Sequence, residues 1–276
     1  MWFQEKAKDH LSSYKLNTLH IEKCGKWETN KKEYQHILPE DLKDYNILET
    51  YRNDFFKYLS DSKCIKLHKD FKHLNSSQAM CFNFFFPLIH ENKLNIIGEI
   101  FGDASGISGS KFEHVISPKE GTNFDFYIEL QSGRKIYFEI KYSETEFGRA
   151  VKDERHIKKY YEIYRDTLKG KIKNSKLNDI NIVLDNYQLF RNSYYLEKNL
   201  NDKAIFLVPE KNSNLIEEFK VFKAEALADD YHDMVRIVTW EEILEKLDIH
   251  LKKANDESSL RLLKHYEEFK IKYIFS

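Results

Sequence analysis

Hydrophobic and polar positions alternate along this chain in blocks that predict a mixture of helices and strands. The nearly uninterrupted apolar stretch LNSSQAMCFNFFFPLI (74–89) predicts a buried helix that Asn75 or Ser76 caps and that ends near Pro87. Shorter apolar stretches predict strands, the second of them buried and stopped by a proline: KFEHVIS (111–117), KAIFLVP (203–209) and MVRIVTW (234–240).

Helical periodicity marks four further segments: LPEDLKDYNILETYRNDFFKYLSD (38–61), ERHIKKYYEIYRDTLK (154–169), NYQLFRNSYYLEKNL (186–200) and ESSLRLLKHYEEFKIKYI (257–274). No internal repeat or Pro/Gly-rich linker divides the chain, so we predict one α/β domain with helical additions at both ends. The predicted parts are a helical N-terminal extension (1–74), a core (75–248) and a C-terminal helix packed on that core (249–276).

The segment GTNFDFYIELQSGRKIYFEIKYSE (121–144) predicts two strands joined by a tight turn. A loop of Gln131, Ser132 and Gly133, with the glycine in the left-handed conformation, pairs Leu130 with Arg134. A two-residue turn would mix apolar and charged side chains on both faces, which favours the longer loop. One face of the hairpin is then apolar and places Phe124, Phe126 and Ile128 opposite Ile140, Phe138 and Ile136.

The other face of this predicted hairpin brings charged side chains together, with Asp125 opposite Glu139. Two facing carboxylates repel each other unless a cation lies between them, and their oxygens suit Mg²⁺ or Mn²⁺. Lys141 projects on the same face, where an ammonium can orient or deprotonate a water or hold a phosphate oxygen. The pattern suits phosphodiester hydrolysis; an ordinary hairpin with one solvated face is the alternative.

The composition fits a globular protein, with 41% hydrophobic and 32% charged residues. The three cysteines, Cys24, Cys64 and Cys81, contain no CxxC pair, so we expect neither a disulfide framework nor a zinc site. No apolar run approaches the ~20 residues that cross a bilayer, and the N-terminus lacks the apolar stretch of a signal peptide. We therefore predict a cytoplasmic protein without membrane spans.

The net charge of −1 hides a local excess of positive charge, because residues 149–176 carry ten Lys/Arg and four Asp/Glu. This segment predicts sequence-independent binding of nucleic-acid phosphates by Arg149, Lys152, Arg155, Lys158 and Lys159. A solvated helix face is the alternative. A second candidate cluster, predicted to grip a phosphate or the active-site carboxylates or else to bridge neighbouring elements, consists of Gln188, Arg191 and Asn192 at helical spacing.

The segment NFDFYIEL followed by IYFEIKYSE resembles the active-site hairpin of the PD-(D/E)XK nuclease superfamily, which has the restriction-endonuclease-like fold. The proline of that family's name is absent, but the spacing from aspartate to E-x-K fits. The resemblance covers about residues 75–240 and implies a mixed central sheet flanked by helices. It further implies that Asp125, Glu139 and the backbone carbonyl of Ile140 bind the metal and that Lys141 is the catalytic lysine. The segments SSQAMCFNFFFPLI, FEHV and YQLFRN also resemble flanking segments of bacterial restriction-endonuclease-like proteins.

Three other positions bear on this hypothesis. Glu113 is a candidate third carboxylate, since KFEHV places it on the strand face opposite Phe112 and His114; a surface glutamate is the alternative. His114 is then expected on the apolar side with Phe112. Gln78, on the first buried helix, is expected either to be satisfied locally or to reach the metal site.

We therefore predict a Mg²⁺-dependent endonuclease that acts on nucleic acid, with DNA favoured as the substrate and Mn²⁺ as a substitute metal. A dimer is a further expectation, because many duplex-cutting members of the superfamily are dimers. One alternative is a nucleic-acid-binding or assembly protein that keeps the fold without hydrolysis. Another is a nuclease acting on RNA or on a branched structure.

Overall fold

The computed structural model describes residues 2–62, 65–173 and 180–275. Its strands are β1 (Gly25–Lys26), β2 (Glu33–Tyr34), β3 (Ile107–Val115), β4 (Asn123–Leu130), β5 (Lys135–Ile140), β6 (Lys203–Val208) and β7 (Val235–Thr239). Its α-helices are α1 (Trp2–Asn17), α2 (Arg52–Asp61), α3 (Ser77–His90), α4 (Asn95–Ile100), α5 (Glu154–Lys159), α6 (Arg165–Leu168), α7 (Ile180–Asp185), α8 (Tyr187–Ser193), α9 (Ser213–Val221), α10 (Trp240–Ala254) and α11 (Glu257–Tyr273). Within the described ranges, no helix combines the length and apolar character required to cross a membrane.

Two compact units make up the chain. The first unit comprises Met1–Ile107, Ile140–Ser143 and Thr239–Ser276, and the second comprises Ser108–Glu139 and Glu144–Val238. The division predicted from the sequence, into residues 1–74, 75–248 and 249–276, stays a prediction.

The helix α3 forms the buried centre of the first unit. Ser76 caps it as predicted, since its hydroxyl accepts a hydrogen bond from the Ala79 amide at 3.3 Å. The helix continues beyond Pro87, where the sequence predicted its end. Proline lacks the amide hydrogen that would bond the carbonyl four residues earlier. That carbonyl, of Asn83, instead accepts a hydrogen bond from His265 Nε2 of α11 at 2.6 Å, which keeps it satisfied inside the unit.

A mixed sheet of five strands, in the order β3-β4-β5-β6-β7, is flanked by helices and confirms the α/β architecture with a restriction-endonuclease-like sheet. Every residue of β6 is buried, which agrees with its continuous apolar pattern. The aromatic side chains Tyr127, Tyr137, Phe190 and Phe206 lie in the core of the second unit.

The hairpin of β4 and β5 confirms the predicted turn. The register pairs Phe126 with Phe138 and Ile128 with Ile136. The Leu130 amide donates to the Arg134 carbonyl at 2.9 Å, which leaves a three-residue loop. Gly133 has a φ of +88°, the left-handed conformation that the bulged turn requires.

The predicted alternation fails at the start of β4. The Phe124 ring lies 4.6 Å from the Tyr137 ring and 6.1 Å from the Tyr195 ring, centroid to centroid. Phe124 therefore shares the face of Tyr137, and its predicted pairing with Ile140 on the Phe126 face is wrong. The paired residues that establish the register run from Phe126 and Phe138 to Glu129 and Lys135. The opposition of Asp125 and Glu139, one step further along, stays a prediction.

A second break in alternation occurs in β3 at Glu113. The Phe112 ring lies 4.7 Å from Phe126, whereas the His114 ring lies 4.6 Å from Tyr127. Because Phe126 and Tyr127 are consecutive and point to opposite faces, Phe112 and His114 do so too. The prediction that His114 joins Phe112 on the apolar side is therefore wrong. The cause is the left-handed backbone of Glu113, with a φ of +51°, which disturbs the regular strand.

Three predicted helices are interrupted or shorter than the periodicity indicates. Residues 38–61 form two 3₁₀ segments, Glu40–Asn46 and Glu49–Tyr51, before α2 begins. The predicted segment 154–169 is helical up to Leu168 but contains a π-helical turn, Tyr160–Tyr164, between α5 and α6. The helix α8 ends at Ser193, short of the predicted residue 200.

Candidate active site

Glu139, near the end of β5, is a buried carboxylate whose two oxygens are both hydrogen-bonded. Only 8% of its surface is exposed. Gln188 Nε2 donates to Oε1 at 2.5 Å and Asn192 Nδ2 donates to Oε2 at 2.9 Å. The two amides lie one helical turn apart on α8, so a single helix fixes the orientation of the carboxylate.

Gln188 is itself held in place by the loop that follows β5. Its Oε1 accepts a hydrogen bond from the Gly148 amide at 3.1 Å, and its own backbone amide donates to the Gly148 carbonyl at 2.9 Å. Asn192 is almost fully buried, with 3% of its surface exposed. The sequence left open whether these two residues contact a phosphate, a carboxylate or neighbouring elements. In the structure both amides contact the Glu139 carboxylate.

Asp125 and Glu113 lie on neighbouring strands of the sheet, and both are partly exposed. The Glu113 carboxylate accepts a hydrogen bond from Asn123 Nδ2, two residues before Asp125. The left-handed Glu113 thus lies beside the start of β4, where the alternation of β4 also breaks. Backbone irregularities of this kind are frequent next to active sites, where they redirect side chains.

Ile140 and Lys141 follow Glu139 directly in the chain. Both are buried, with 1% and 9% of their surfaces exposed. The Lys141 carbonyl accepts a hydrogen bond from Trp240 Nε1 at 3.3 Å within the first unit.

Gln78, also of the first unit, is satisfied locally, since it accepts from the His68 amide at 2.8 Å and donates to the Lys66 carbonyl at 3.0 Å.

The oxygens of Glu139 are compatible with a hard divalent cation. Each carboxylate oxygen offers two lone-pair sites, so accepting one hydrogen bond from an amide does not by itself prevent an oxygen from binding a cation. Across the described part of the chain, no group of three or more His, Cys, Asp or Glu side chains is placed to hold a metal. Mg²⁺ needs no such cage, because it commonly keeps several waters and binds one or two carboxylates plus substrate phosphates.

A comparison with protein families decides the class of the chain. The family described as "Restriction Endonuclease associating with ARP" matches residues 8–274. The chain belongs to this family. A comparison with curated proteins found no match, and neither did a comparison with solved structures.

In this restriction endonuclease family member, the basic residues predicted to bind nucleic acid divide into two groups. Arg155, Lys158 and Lys159 lie on α5, which Asp153 caps by accepting from the His156 amide at 2.8 Å. Arg149 and Lys152 precede this cap and lie outside the helix. Lys152 Nζ donates to Asn181 Oδ1 at 3.0 Å, and residues 174–176 of the basic segment lie outside the described residues.

Arg191 has a different environment from its neighbours Gln188 and Asn192. Its Nη2 donates to the Gly121 carbonyl at 2.9 Å, and its Nε donates to Thr122 Oγ1 at 3.1 Å. It therefore braces the segment that connects β3 to β4.

The buried carboxylate of Glu120 organises that same segment, and the sequence analysis missed it. Glu120 accepts hydrogen bonds from the Tyr164 hydroxyl at 2.5 Å and from the Thr122 amide and hydroxyl at 2.8 and 2.7 Å. Burial raises the pKa of Glu120, but these hydrogen bonds and the nearby Arg191 outweigh burial and leave the pKa below its ordinary value. One acidic residue before Gly-Thr carries no local signal, because its partners come from distant parts of the sequence.

Proposed function

We propose that this chain is a metal-dependent endonuclease that hydrolyses phosphodiester bonds in nucleic acid, with DNA as its substrate. The observation that carries the proposal is the Glu139 carboxylate, whose two oxygens are oriented by the amides of Gln188 and Asn192. Such oriented carboxylates are typical of metal ligands supported by neighbouring polar groups. Membership of a restriction endonuclease family supports the same class of reaction.

In this proposal Asp125, Glu139 and the Ile140 carbonyl hold the cation, and Gln188 and Asn192 fix the angle of one carboxylate. A bound Mg²⁺ or Mn²⁺ lowers the pKa of a water and neutralises charge on the scissile phosphate. Lys141, two positions after Glu139, orients or deprotonates the attacking water or donates to a phosphate oxygen. We assign these roles from the D…E-x-K spacing, the PD-(D/E)XK resemblance and the surroundings of Glu139.

The family description names an association with ARP, and we propose that this chain also associates with such a partner. A homodimer and a cytoplasmic location stay predictions. The preference between duplex and single-stranded DNA is tested by the experiment below.

The proposal is tested by incubating the full-length protein with supercoiled plasmid or circular single-stranded DNA in Mg²⁺, Mn²⁺ or EDTA. We expect cleavage with either metal and none in EDTA. Lys141→Ala is expected to lower the rate by roughly 100-fold or more, the usual effect of losing a general acid or base. Lys220→Ala is the matched control, since Lys220 also follows an acidic residue by two positions but lies exposed on α9.

Absence of cleavage by the native protein under every condition, together with salt-sensitive DNA binding, would favour the alternative of a binding protein that keeps the fold without hydrolysis. Equal loss in Lys141→Ala and Lys220→Ala would remove the assigned role of Lys141.

A further inference from the structure

A cavity of about 900 Å³ lies in the second unit, between the β3–β4 connection, α5 and α8. We call it the basic pocket. Among the described residues, its lining includes five cationic side chains and three glutamates; the cationic ones are Lys119, Arg155, Lys158, Lys159 and Arg191. A lining dominated by charged groups disfavours an apolar ligand and favours an anionic one.

Glu120 is a buried residue in the lining of the basic pocket, and it positions two of the pocket's cationic side chains, Lys159 and Arg191. Its carboxylate Oε1 lies 3.9 Å from Lys159 Nζ and 3.6 Å from Arg191 Nε. Lys159 Nζ also donates to the Glu120 carbonyl at 2.5 Å. Both long side chains are thereby ordered before any ligand arrives, which reduces the entropy lost on binding.

The chemistry of Arg191 suits a phosphate. Its hydrogen bonds to Gly121 and Thr122 use Nη2 and Nε, whereas a guanidinium carries five N–H donors in a planar fork. The remaining donors match the paired oxygens of a phosphodiester. Arg155 and Lys158, on the exposed side of α5, extend the positive charge toward solvent.

The helix α8 connects the basic pocket to the candidate catalytic carboxylate. Tyr187 and Arg191 line the pocket, while Gln188 and Asn192 bind Glu139. Consecutive residues of a helix are only 1.5 Å apart along its axis. Neighbouring residues of one helix thus line the pocket and hold the Glu139 carboxylate.

We propose that the basic pocket binds a backbone phosphate of the nucleic-acid substrate, without reading its sequence, and so anchors the strand beside Glu139. This inference rests on the proposed function, since it assigns the position of the same substrate. The pocket holds five cationic side chains, two of which contact a buried carboxylate. This arrangement favours a polyanion with regularly spaced phosphates as the ligand. An acidic polypeptide is the competing ligand, and the experiment separates the two.

The experiment measures binding of a fluorescein-labelled DNA duplex to the full-length protein in EDTA, by anisotropy, over a series of salt concentrations. The double variant Arg155→Gln/Lys158→Gln removes two pocket cations that do not brace the β3–β4 connection. Lys211→Gln/Lys223→Gln removes the same charge from residues of the second unit that do not line the pocket. Labelled polyglutamate is titrated in parallel.

We expect the pocket variant to bind DNA more weakly, with the slope of log affinity against log salt reduced by about one for each lost phosphate contact. The control variant is expected to keep the native slope, and two duplexes of different sequence are expected to lose affinity equally. Unchanged DNA binding in the pocket variant would overturn the inference, as would loss of polyglutamate binding with DNA binding retained.

The outcome is separate from that of the proposed function. Native protein that binds DNA through the pocket but never cleaves it would refute the nuclease proposal and leave the pocket assignment standing. If the pocket variant still cleaves DNA, and its DNA binding keeps the native salt dependence, the nuclease proposal stands and the pocket assignment is refuted.

Discussion

The carboxylate of Glu139 is buried on folding, and the amides of Gln188 and Asn192 replace part of its lost hydration. A buried carboxylate without hydrogen-bond partners is costly, so the two amides offset part of the cost of burying Glu139. They also fix the orientation of the carboxylate. In the proposed nuclease, Gln188 and Asn192 are therefore positioning residues that act through Glu139.

Asn192→Leu tests this role, because leucine fills a similar volume without donating a hydrogen bond. We expect the variant to need more Mg²⁺ for half-maximal cleavage and to lose roughly 10- to 100-fold in activity, as for other supporting residues of metal ligands. A purely structural role would lower the melting temperature and leave the Mg²⁺ requirement of the folded fraction unchanged. Asn181→Leu, in the same unit and bonded to Lys152, is the control.

At the level of elements, both β3 and β4 are irregular beside the candidate site. Glu113 adopts a left-handed backbone that costs a non-glycine residue about 1–2 kcal/mol. Phe124 lies on the face of Tyr137 rather than that of Phe126. Phe124 lies between Asn123 and Asp125, and the Glu113 carboxylate accepts a hydrogen bond from Asn123, so the regular strand pattern is lost beside the candidate site.

The strain at Glu113 predicts opposite effects of two substitutions. Glu113→Gly is expected to preserve the free energy of unfolding or to raise it by up to about 1 kcal/mol, because glycine tolerates positive φ. Glu113→Val is expected to lower it by at least about 1 kcal/mol, since a β-branched residue is a poor fit there. Thermal or urea unfolding measures both. Equal stability of the two variants would show that the left-handed backbone is not strained.

These elements also show which features a sequence pattern can predict. The pairing of Phe126 with Phe138 follows from alternation and turn chemistry, and the Ser76 cap follows from a local side-chain preference. The reversed Phe124 and the helix that continues through Pro87 depend on Tyr195 and His265, which are distant in the sequence. The buried Glu120 and its partner Tyr164 were missed for the same reason. Among the candidate site residues, the D…E-x-K spacing was visible, whereas the contacts of Gln188 and Asn192 with Glu139 needed the fold.

At the scale of the whole molecule, two buried histidines predict instability in acid. Burial lowers the pKa of His265 and of His36 to about 4, from an ordinary value of 6.5. The unfolded chain therefore binds more protons than the folded one at pH values between these limits, so stability falls as the pH falls from about 6.5 to about 4. For His265 alone the loss is about 3 kcal/mol.

This prediction is checked by thermal unfolding of the native protein and His265→Gln between pH 7 and pH 4.5. We expect the native melting temperature to fall with pH and the variant, which cannot take up that proton, to show a shallower fall. His20→Asn, at an exposed left-handed position that asparagine tolerates, should follow the native curve. Parallel curves for all three proteins would exclude His265 as a source of acid sensitivity.

Metal-dependent cleavage by the hairpin carboxylates is tested by comparing Asp125→Asn with Glu129→Gln. Both substitutions replace a carboxylate of β4 by its amide, and only the first alters the proposed metal site. Plasmid cleavage in Mg²⁺ and DNA binding in EDTA are measured side by side. We expect Asp125→Asn to bind DNA but fail to cleave it, while Glu129→Gln does both. Cleavage by Asp125→Asn at the native rate would show that the Asp125 carboxylate is not needed for the reaction.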